Sequence, residues 1–235
     1  MERDMRRKAL FWLTALSLAA ATPLAAQEGE AAWDGLVEVH AKKLDEVYLR
    51  PQADFRGYTK VMIDPTEVSF RKDWQRDQNR DRLDLSNRVS DADARRILDD
   101  AQKSFQKLFA ETYAKDGYEV VTAPGPDVLR ISTAIIDLDV TAPDTMSPGR
   151  TRTYSRDAGE ATLVLEARDS LTGELLGRAL DQRETSDMGP FIRNSVTNAA
   201  AFEQVFQRWA RTSANGLAEL KELSPVDPSA LQAQR

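Results

Sequence analysis

Cysteine is absent from this 235-residue chain, and histidine occurs once, at His40. A protein without thiols has no disulfide framework, no cysteine-ligated zinc or iron–sulfur cluster and no thiol nucleophile. A single imidazole cannot build a histidine-rich metal site. No Gly-x-Ser-x-Gly segment is present to supply a nucleophile, so a Ser–His–Asp triad is not indicated either. The sequence also lacks a Gly-rich phosphate loop, and we expect neither a cofactor nor an enzyme.

Long apolar runs are missing except near the N-terminus. There, basic residues 6–8 precede an apolar stretch over residues 9–21, which leads through Pro23 into small residues. This order is typical of a secretory signal peptide, and the run is short for a membrane-spanning helix. We predict a signal peptide over residues 1–26 and a soluble periplasmic product. An uncleaved N-terminal anchor is the alternative.

The chain carries a negative net charge. Translation could begin at Met1 or at Met5. Removing residues 1–26 of the full sequence takes away four of its 32 basic and two of its 38 acidic side chains. The net charge would change from −6 to −8, which makes nonspecific nucleic-acid binding a poor prediction. Residues 24–26 are of the kind that precede a lipidated cysteine, but Gln27 follows them here. We therefore expect no membrane anchor after cleavage.

Two segments carry apolar residues at helical spacing. The first follows Ser90 and Asp93, which resemble a capping box, and stops before Gly117; it predicts a helix over about residues 91–115. The second predicts a closing helix over about residues 198–222. Its apolar stripe consists of Phe202, Val205, Phe206, Trp209, Ser213, Leu217 and Leu220.

Five stretches have the character of β-strands. They cover residues 58–64 with an extension to Val68 and Phe70, and residues 118–121, 128–140, 160–169 and 174–184. The stretch 128–140 is apolar on both faces and is predicted to be central, with Ile135 and Leu138 on opposite faces. In the next stretch, Ala161, Leu163, Leu165 and Ala167 are expected to face inward. Gly173 is expected at positive φ in the hairpin turn.

The order of these elements predicts a single α+β domain over residues 58–222. Two main helices would pack on one face of a mixed sheet of about five strands. Residues 27–57 show no clear strand pattern and are predicted as an N-terminal lead-in, either a short helix or irregular. Residues 223–235 contain two prolines and are predicted to form a disordered tail.

Three motifs mark strand starts and a hairpin turn. They are Tyr58-Thr-Lys-Val-Met-Ile-Asp-Pro65, Pro124-Gly-Pro-Asp-Val-Leu-Arg-Ile131 and Glu166-Ala-Arg-Asp-Ser-Leu-Thr-Gly-Glu-Leu-Leu176. Together they resemble a bacterial lipoprotein family known as domain of unknown function 3313 (DUF3313), over about residues 45–222. The resemblance implies an envelope location and supplies no catalytic residues. The chain departs from the lipoprotein pattern at Gln27.

One pair of carboxylates is a candidate site. Asp137 and Asp139 lie two residues apart on the predicted central strand, where such side chains are roughly 7 Å apart. They could bind a divalent cation or act as an acid/base pair. The alternative is a strand that simply leaves the core for solvent.

A polar arm is a second candidate. Residues 71–88 mix six basic and four acidic side chains with Trp74. With Arg76 and Arg80, this arm could bind an acidic partner or a phosphorylated glycan. It could equally be a solvated loop or contain a short helix.

Two long polar loops form the third candidate. Residues 141–157 carry Arg152 and Tyr154, and residues 185–197 carry Arg193. Loops of this length in a compact domain are either functional or simply mobile. If the fold brings the two together, they could form a rim that recognises a partner.

These observations predict an exported, non-enzymatic protein that binds or scaffolds in the periplasm or cell envelope. Its partner would be another envelope protein or a glycan; the oligomeric state is not predicted. Two alternatives remain open. A small-ligand carrier would need a pocket between sheet and helices. A carboxylate-dependent hydrolase would need convergent carboxylates with perturbed pKa values in a cleft.

Overall fold

The computed structural model describes residues 33–80, 82, 88–141, 143, 153–155, 158–185, 191–193 and 195–232. Its strands are β1 (Val37–Val39), β2 (Glu46–Leu49), β3 (Lys60–Ile63), β4 (Glu67–Phe70), β5 (Glu119–Val121), β6 (Val128–Val140), β7 (Thr153–Ser155), β8 (Gly159–Asp169), β9 (Leu175–Glu184) and β10 (Phe191–Arg193). Its helices are α1 (Trp74–Arg80), α2 (Asp91–Lys115), α3 (Ser195–Glu222) and α4 (Pro228–Gln232). The predicted signal peptide lies outside the described residues.

The two long helices form where the sequence predicts them. At the start of α2 the Ser90 hydroxyl accepts from the Asp93 N–H, and the Asp93 carboxylate accepts from the Ser90 N–H, which completes the capping box. Gly117 follows the last turn at φ +89°. Helix α3 begins at Ser195, three residues earlier than predicted. None of the described helices combines the length and apolar character that crossing a membrane would require.

Eight strands form one mixed sheet. Its order is β1-β2-β9-β8-β6-β3-β5, and β4 pairs with β6 beyond the part that pairs with β3. The β3–β5, β3–β6 and β4–β6 pairs are parallel, and the others are antiparallel. A separate two-stranded sheet joins β7 and β10. The α+β class and the mixed sheet are confirmed, but the prediction of about five strands is too low.

The prediction for residues 27–57 is wrong at its centre. Strands β1 and β2 form a hairpin there, and β2 pairs with β9 in the main sheet. Strands of three and four residues are too short for an alternating pattern to be recognised in the sequence. The pairing of β2 with β9, which lies more than a hundred residues away, stabilises the hairpin instead.

A β-bulge interrupts β6. Ile136 pairs with Thr162, but Asp139 already pairs with Glu160, so β6 holds one extra residue. Asp137 sits in the bulge at φ +51°. The bulge reverses the alternation, and Leu138 therefore joins Ile135 in the core instead of lying on the opposite face. The predicted face of Leu138 is wrong for this reason.

The polar arm contains a short helix. Helix α1 covers Trp74–Arg80, and the Trp74 side chain is 1 % exposed. Its ring stacks on Phe70 with 3.8 Å between ring centroids, and its indole N–H donates to the Val140 carbonyl. This aromatic contact attaches the arm to the core.

The predicted disordered tail is wrong for the described residues up to Gln232. Val226 is fully buried, and it exchanges backbone hydrogen bonds with Gln52 and Ala53. Helix α4 follows, and the Gln232 amide donates to the Glu38 carbonyl of β1. The C-terminal segment thus packs against the β1 edge of the sheet.

The core lies between α2, α3 and one face of the sheet. Phe105 of α2 lies 5.4 Å from Phe206 of α3 between ring centroids, in an edge-on contact. These rings share one buried cluster with Ile131, Ile135 and Leu163 of β6 and β8. The predicted packing of the two helices with the apolar side chains of these strands agrees with this cluster.

Candidate functional site

A pocket of about 490 Å³ lies between the sheet and α3. Its walls are formed by β1, β2, β6, β8 and β9, by the second half of α3, and by the β1–β2 loop over residues 40–45. Leu231 of α4 closes one side. A cavity of this volume is within the range of small-molecule sites.

The pocket exists because the sheet is wider than its helical cover. Strands lie about 4.8 Å apart and a helix with its side chains is about 10 Å across, so one helix covers about two strands. Two helices cannot cover seven strands lying side by side. On β8 the effect is visible along one face: Leu163 is 2 % exposed, whereas Leu165 and Ala167 are only half-buried and line the pocket.

Helix α3 contributes the opposite wall. Trp209, Leu217 and Leu220 supply apolar surface, and Gly216 lies between them along the helix. A Cβ atom added at Gly216 would meet nothing within 4 Å. The pocket is therefore open next to the helix backbone, and a larger side chain at this position has room to enter it.

Two hydroxyl groups lie in the lining. The Tyr113 hydroxyl of α2 and the Ser213 hydroxyl of α3 are 2.6 Å apart and share a hydrogen bond. Burial raises the pKa of Tyr113 far above its usual range, although the bond to Ser213 opposes this shift. The phenol thus stays protonated at any physiological pH and serves as a neutral polar contact.

Asp181 is a buried carboxylate at the edge of the pocket, 1 % exposed. It accepts hydrogen bonds from the Trp209 indole N–H at 2.7 Å, from the Asp45 backbone N–H at 3.1 Å, and from the Arg183 guanidinium at 2.7 Å. These donors occupy both carboxylate oxygens. Asp181 therefore holds β9, α3 and the β1–β2 loop together and is not positioned as an acid or base.

The carboxylates predicted from the sequence lie elsewhere. Asp137 is exposed in the bulge, and Asp139 forms an ion pair with Arg71, which also pairs with Asp77. Because the bulge separates them, Asp137 and Asp139 are not regular neighbours on one strand face. Among the described residues no cluster of three or more acidic or histidine side chains could hold a metal ion.

The structure also shows where the candidate binding residues of the polar arm lie. Trp74 is buried, so its ring offers no surface to a partner. Arg76 and Arg80 are exposed, and each pairs with Asp77. Helix α1 thus contains two arginines and one aspartate, and the single carboxylate offsets only part of its positive charge.

The structure does bring the two long loops together. Strands β7 and β10 pair antiparallel, with Tyr154 opposite Ile192 and Thr153 opposite Arg193. Arg152 lies outside the described residues. A shared rim requires that the fold bring the two loops together. The backbones of Tyr154 and Arg193 do lie side by side, in one two-stranded sheet.

Sequence reasoning assigned the apolar lining residues of β8 and α3 to the core and missed the polar residues of the pocket. His40, Lys42, Lys43 and Glu219 line its mouth, and only His40 attracted notice, as a lone imidazole. One signal was available: the inward face of β8 continues to Ala167, beyond the length that two helices are able to cover. Recognising it would have required the number of strands, which the sequence did not reveal.

A family model described as "Protein of unknown function (DUF3313)" matches residues 26–213. The chain belongs to the DUF3313 family. This confirms the resemblance seen in the strand and hairpin motifs. No curated protein matches this DUF3313 chain.

Several solved structures are distantly similar to this DUF3313 protein. The PelC dodecamer subunit from Paraburkholderia phytofirmans is 11% identical, covers 69% of this chain and 95% of its own, and has a TM-score of 0.33. A homolog of neuraminyllactose-binding hemagglutinin from Helicobacter pylori is 11% identical over 74% of this chain and 95% of its own, with a TM-score of 0.37. A DUF330 protein from Xanthomonas campestris is 12% identical over 73% and 88%, with a TM-score of 0.35. Similarity this distant carries no information about function.

Proposed function

We propose that this DUF3313 protein is a non-enzymatic binding protein that takes an apolar small molecule into the pocket between the sheet and α3. The single observation that carries the proposal is the pocket itself, about 490 Å³ in volume, with apolar side chains from five strands and from α3. Concave, mostly apolar cavities with few polar groups are typical of ligand sites. Of the alternatives drawn from the sequence, the structure favours the small-ligand carrier.

The polar groups of the pocket support binding rather than catalysis. Asp181 already accepts from three residues, and the Tyr113 and Ser213 hydroxyls bond each other. Hydrolysis by carboxylates needs two convergent acidic groups beside the substrate. In the described lining, the other carboxylate is Glu219, which is exposed at the mouth.

We also propose that the protein is exported and acts in the periplasm or cell envelope. The basic cluster and apolar run at the N-terminus support export, and with Gln27 in the position of a lipidated cysteine the product would act unanchored in the periplasm or envelope. Another envelope protein or a glycan as the partner stays a prediction.

The experiment uses N-phenyl-1-naphthylamine, a neutral fluorophore that brightens in apolar surroundings. The protein is expected to bind it, and Gly216→Leu is expected to weaken binding roughly tenfold or more, about 1.4 kcal/mol, because the new side chain occupies the pocket. Fluorescence titration measures the affinity of the original protein and that of the variant. Gly216→Ala is the matched control and should bind almost as well as the original protein.

Loss of folding is not expected to explain a difference in binding between the two variants. Both substitutions replace a helical glycine and should raise helix stability by up to about 1 kcal/mol. Absence of fluorophore binding by the original protein, or equal binding by Gly216→Leu, would contradict the proposed function.

A further inference from the structure

The mouth of the pocket differs in chemistry from its interior. Two basic residues of the β1–β2 loop, Lys42 and Lys43, line it on one side, and Glu219 of α3 lines it on the other. The chain as a whole carries a net charge of −6. Positive charge at this mouth is therefore a local feature and not a general property of the surface.

The loop that carries the two lysines is held in place by its backbone. The Lys43 carbonyl accepts from Arg183, and the Asp45 N–H donates to buried Asp181. The Asp45 carboxylate in turn accepts from the Gln182 N–H. These bonds fix the position of the loop over β9, while the lysine side chains remain exposed.

The contact between the two sides of the mouth is weak. Lys43 Nζ lies 3.4 Å from Glu219 Oε1, and the two side chains are 59% and 65% exposed. Ion pairs as exposed as this contribute little to stability, because water solvates both charges. Within the described part of the chain, Lys42 forms no ion pair. An arriving anion could therefore use both ammonium groups.

We propose that the ligand is an anionic amphiphile with a single apolar chain. The chain enters the apolar interior, and the carboxylate or phosphate head stays at the mouth between Lys42 and Lys43. Lysine ammonium groups bind such anions as point charges. This inference rests on the proposed function, because it assigns the head group of a ligand whose chain fills the same pocket.

The arrangement has a consequence for Glu219. An anionic head and the Glu219 carboxylate compete for Lys43, and the ligand displaces Glu219 when it binds. Removing the Glu219 charge therefore strengthens binding of an anion. The opposite effect is expected for a cationic head, which Glu219 attracts.

The test compares three dodecyl compounds near neutral pH and below their aggregation concentrations: dodecanoate, dodecan-1-ol and dodecylammonium. Each competes with N-phenyl-1-naphthylamine for the purified protein. Dodecanoate is expected to bind most tightly. The Lys42→Gln/Lys43→Gln variant should weaken dodecanoate roughly two- to fivefold for each charge lost and leave dodecan-1-ol unchanged. Glu219→Gln should strengthen dodecanoate by roughly two- to fivefold.

Lys103→Gln/Lys107→Gln is the matched control, since it removes the same charge from exposed positions of α2 outside the pocket lining. It should leave all three affinities unchanged. Equal displacement by the three compounds, or weaker dodecanoate binding in Glu219→Gln, would overturn the head-group assignment while the pocket function stands. If neither the fluorophore nor any dodecyl compound binds, the proposed function itself fails.

Discussion

At the scale of single residues, Asp181 organises the candidate site. It is a buried carboxylate whose donors come from α3, from the β1–β2 loop and from its own strand. A buried charge is tolerated when it is paired and hydrogen-bonded. Here this requirement links the three elements that surround the pocket edge.

Asp181→Ala is expected to lower the free energy of unfolding by about 2–4 kcal/mol. The Trp209 and Asp45 N–H groups would lose their acceptor, and Arg183 would lose its anion; because Arg183 is partly exposed, its share is the smaller one. Chemical denaturation measures the change. Asp100→Ala removes an exposed carboxylate on α2 and should alter stability by less than about 0.5 kcal/mol. A similarly small change in Asp181→Ala would show that the network does not stabilise the fold.

At the scale of elements, the bulge in β6 depends on a glycine of the neighbouring strand. Gly159 begins β8 opposite Val140 and adopts φ +127°, a conformation that other residues rarely adopt. A Cβ atom at Gly159 would lie 1.7 Å from the Asp139 carbonyl oxygen. The close approach of the two backbones thus requires the absence of a side chain.

Gly159→Ala is expected to destabilise the protein by about 3 kcal/mol or more, the upper end for one strained residue, because backbone and not a flexible side chain stands in the way. Thermal unfolding measures this. Gly57→Ala is the matched control, because a Cβ there meets nothing within 4 Å, and its melting temperature should stay close to that of the original protein. Equal melting temperatures for the two variants would disprove the role assigned to Gly159.

At the scale of the whole molecule, the C-terminal segment completes the fold. Residues after α3 return to the β1 side of the sheet, where Val226 is buried and its backbone hydrogen-bonds to Gln52 and Ala53. Leu231 of α4 reaches the pocket. The segment therefore connects the sheet edge, the loop before β3 and the candidate site.

Deleting residues 224–235 is expected to lower the free energy of unfolding by about 2–4 kcal/mol, from the lost burial of Val226 and two backbone hydrogen bonds. Fluorophore binding should weaken as well, since one side of the pocket is removed. Denaturation and the fluorescence titration measure the two effects. Asp100→Ala, at an exposed position of α2 outside the pocket lining, is the control and should alter both only slightly. A truncated protein with unchanged stability would show that the tail only rests on the surface.

The long elements could be predicted because each carries its own periodic pattern. Helix α2 has the predicted bounds, β6 covers 128–140 as predicted, and the β8–β9 hairpin turns at Gly173 with φ +73°. The bulge at Asp137 escaped prediction because no pattern marks one extra residue within an apolar strand. Its register becomes defined only by pairing with β8.

The candidate site was beyond prediction for a similar reason. Its lining comes from Val39, Leu165, Trp209 and Leu231, which are scattered over the chain. Hydrophobic spacing shows which face of an element avoids water. It does not show whether that face meets another element or an open cavity, and the small-ligand alternative could therefore only be named.

The sequence alone excludes thiol chemistry, indicates the α+β class, and locates the main helices and strands, because composition and local periodicity are properties of the chain itself. Tertiary structure alone reveals the eight-stranded sheet, the docked C-terminal segment and the pocket. The physical reason is the width of the sheet. Short strands become stable only by pairing with distant partners, and once they have done so, two helices are too few to cover the apolar face.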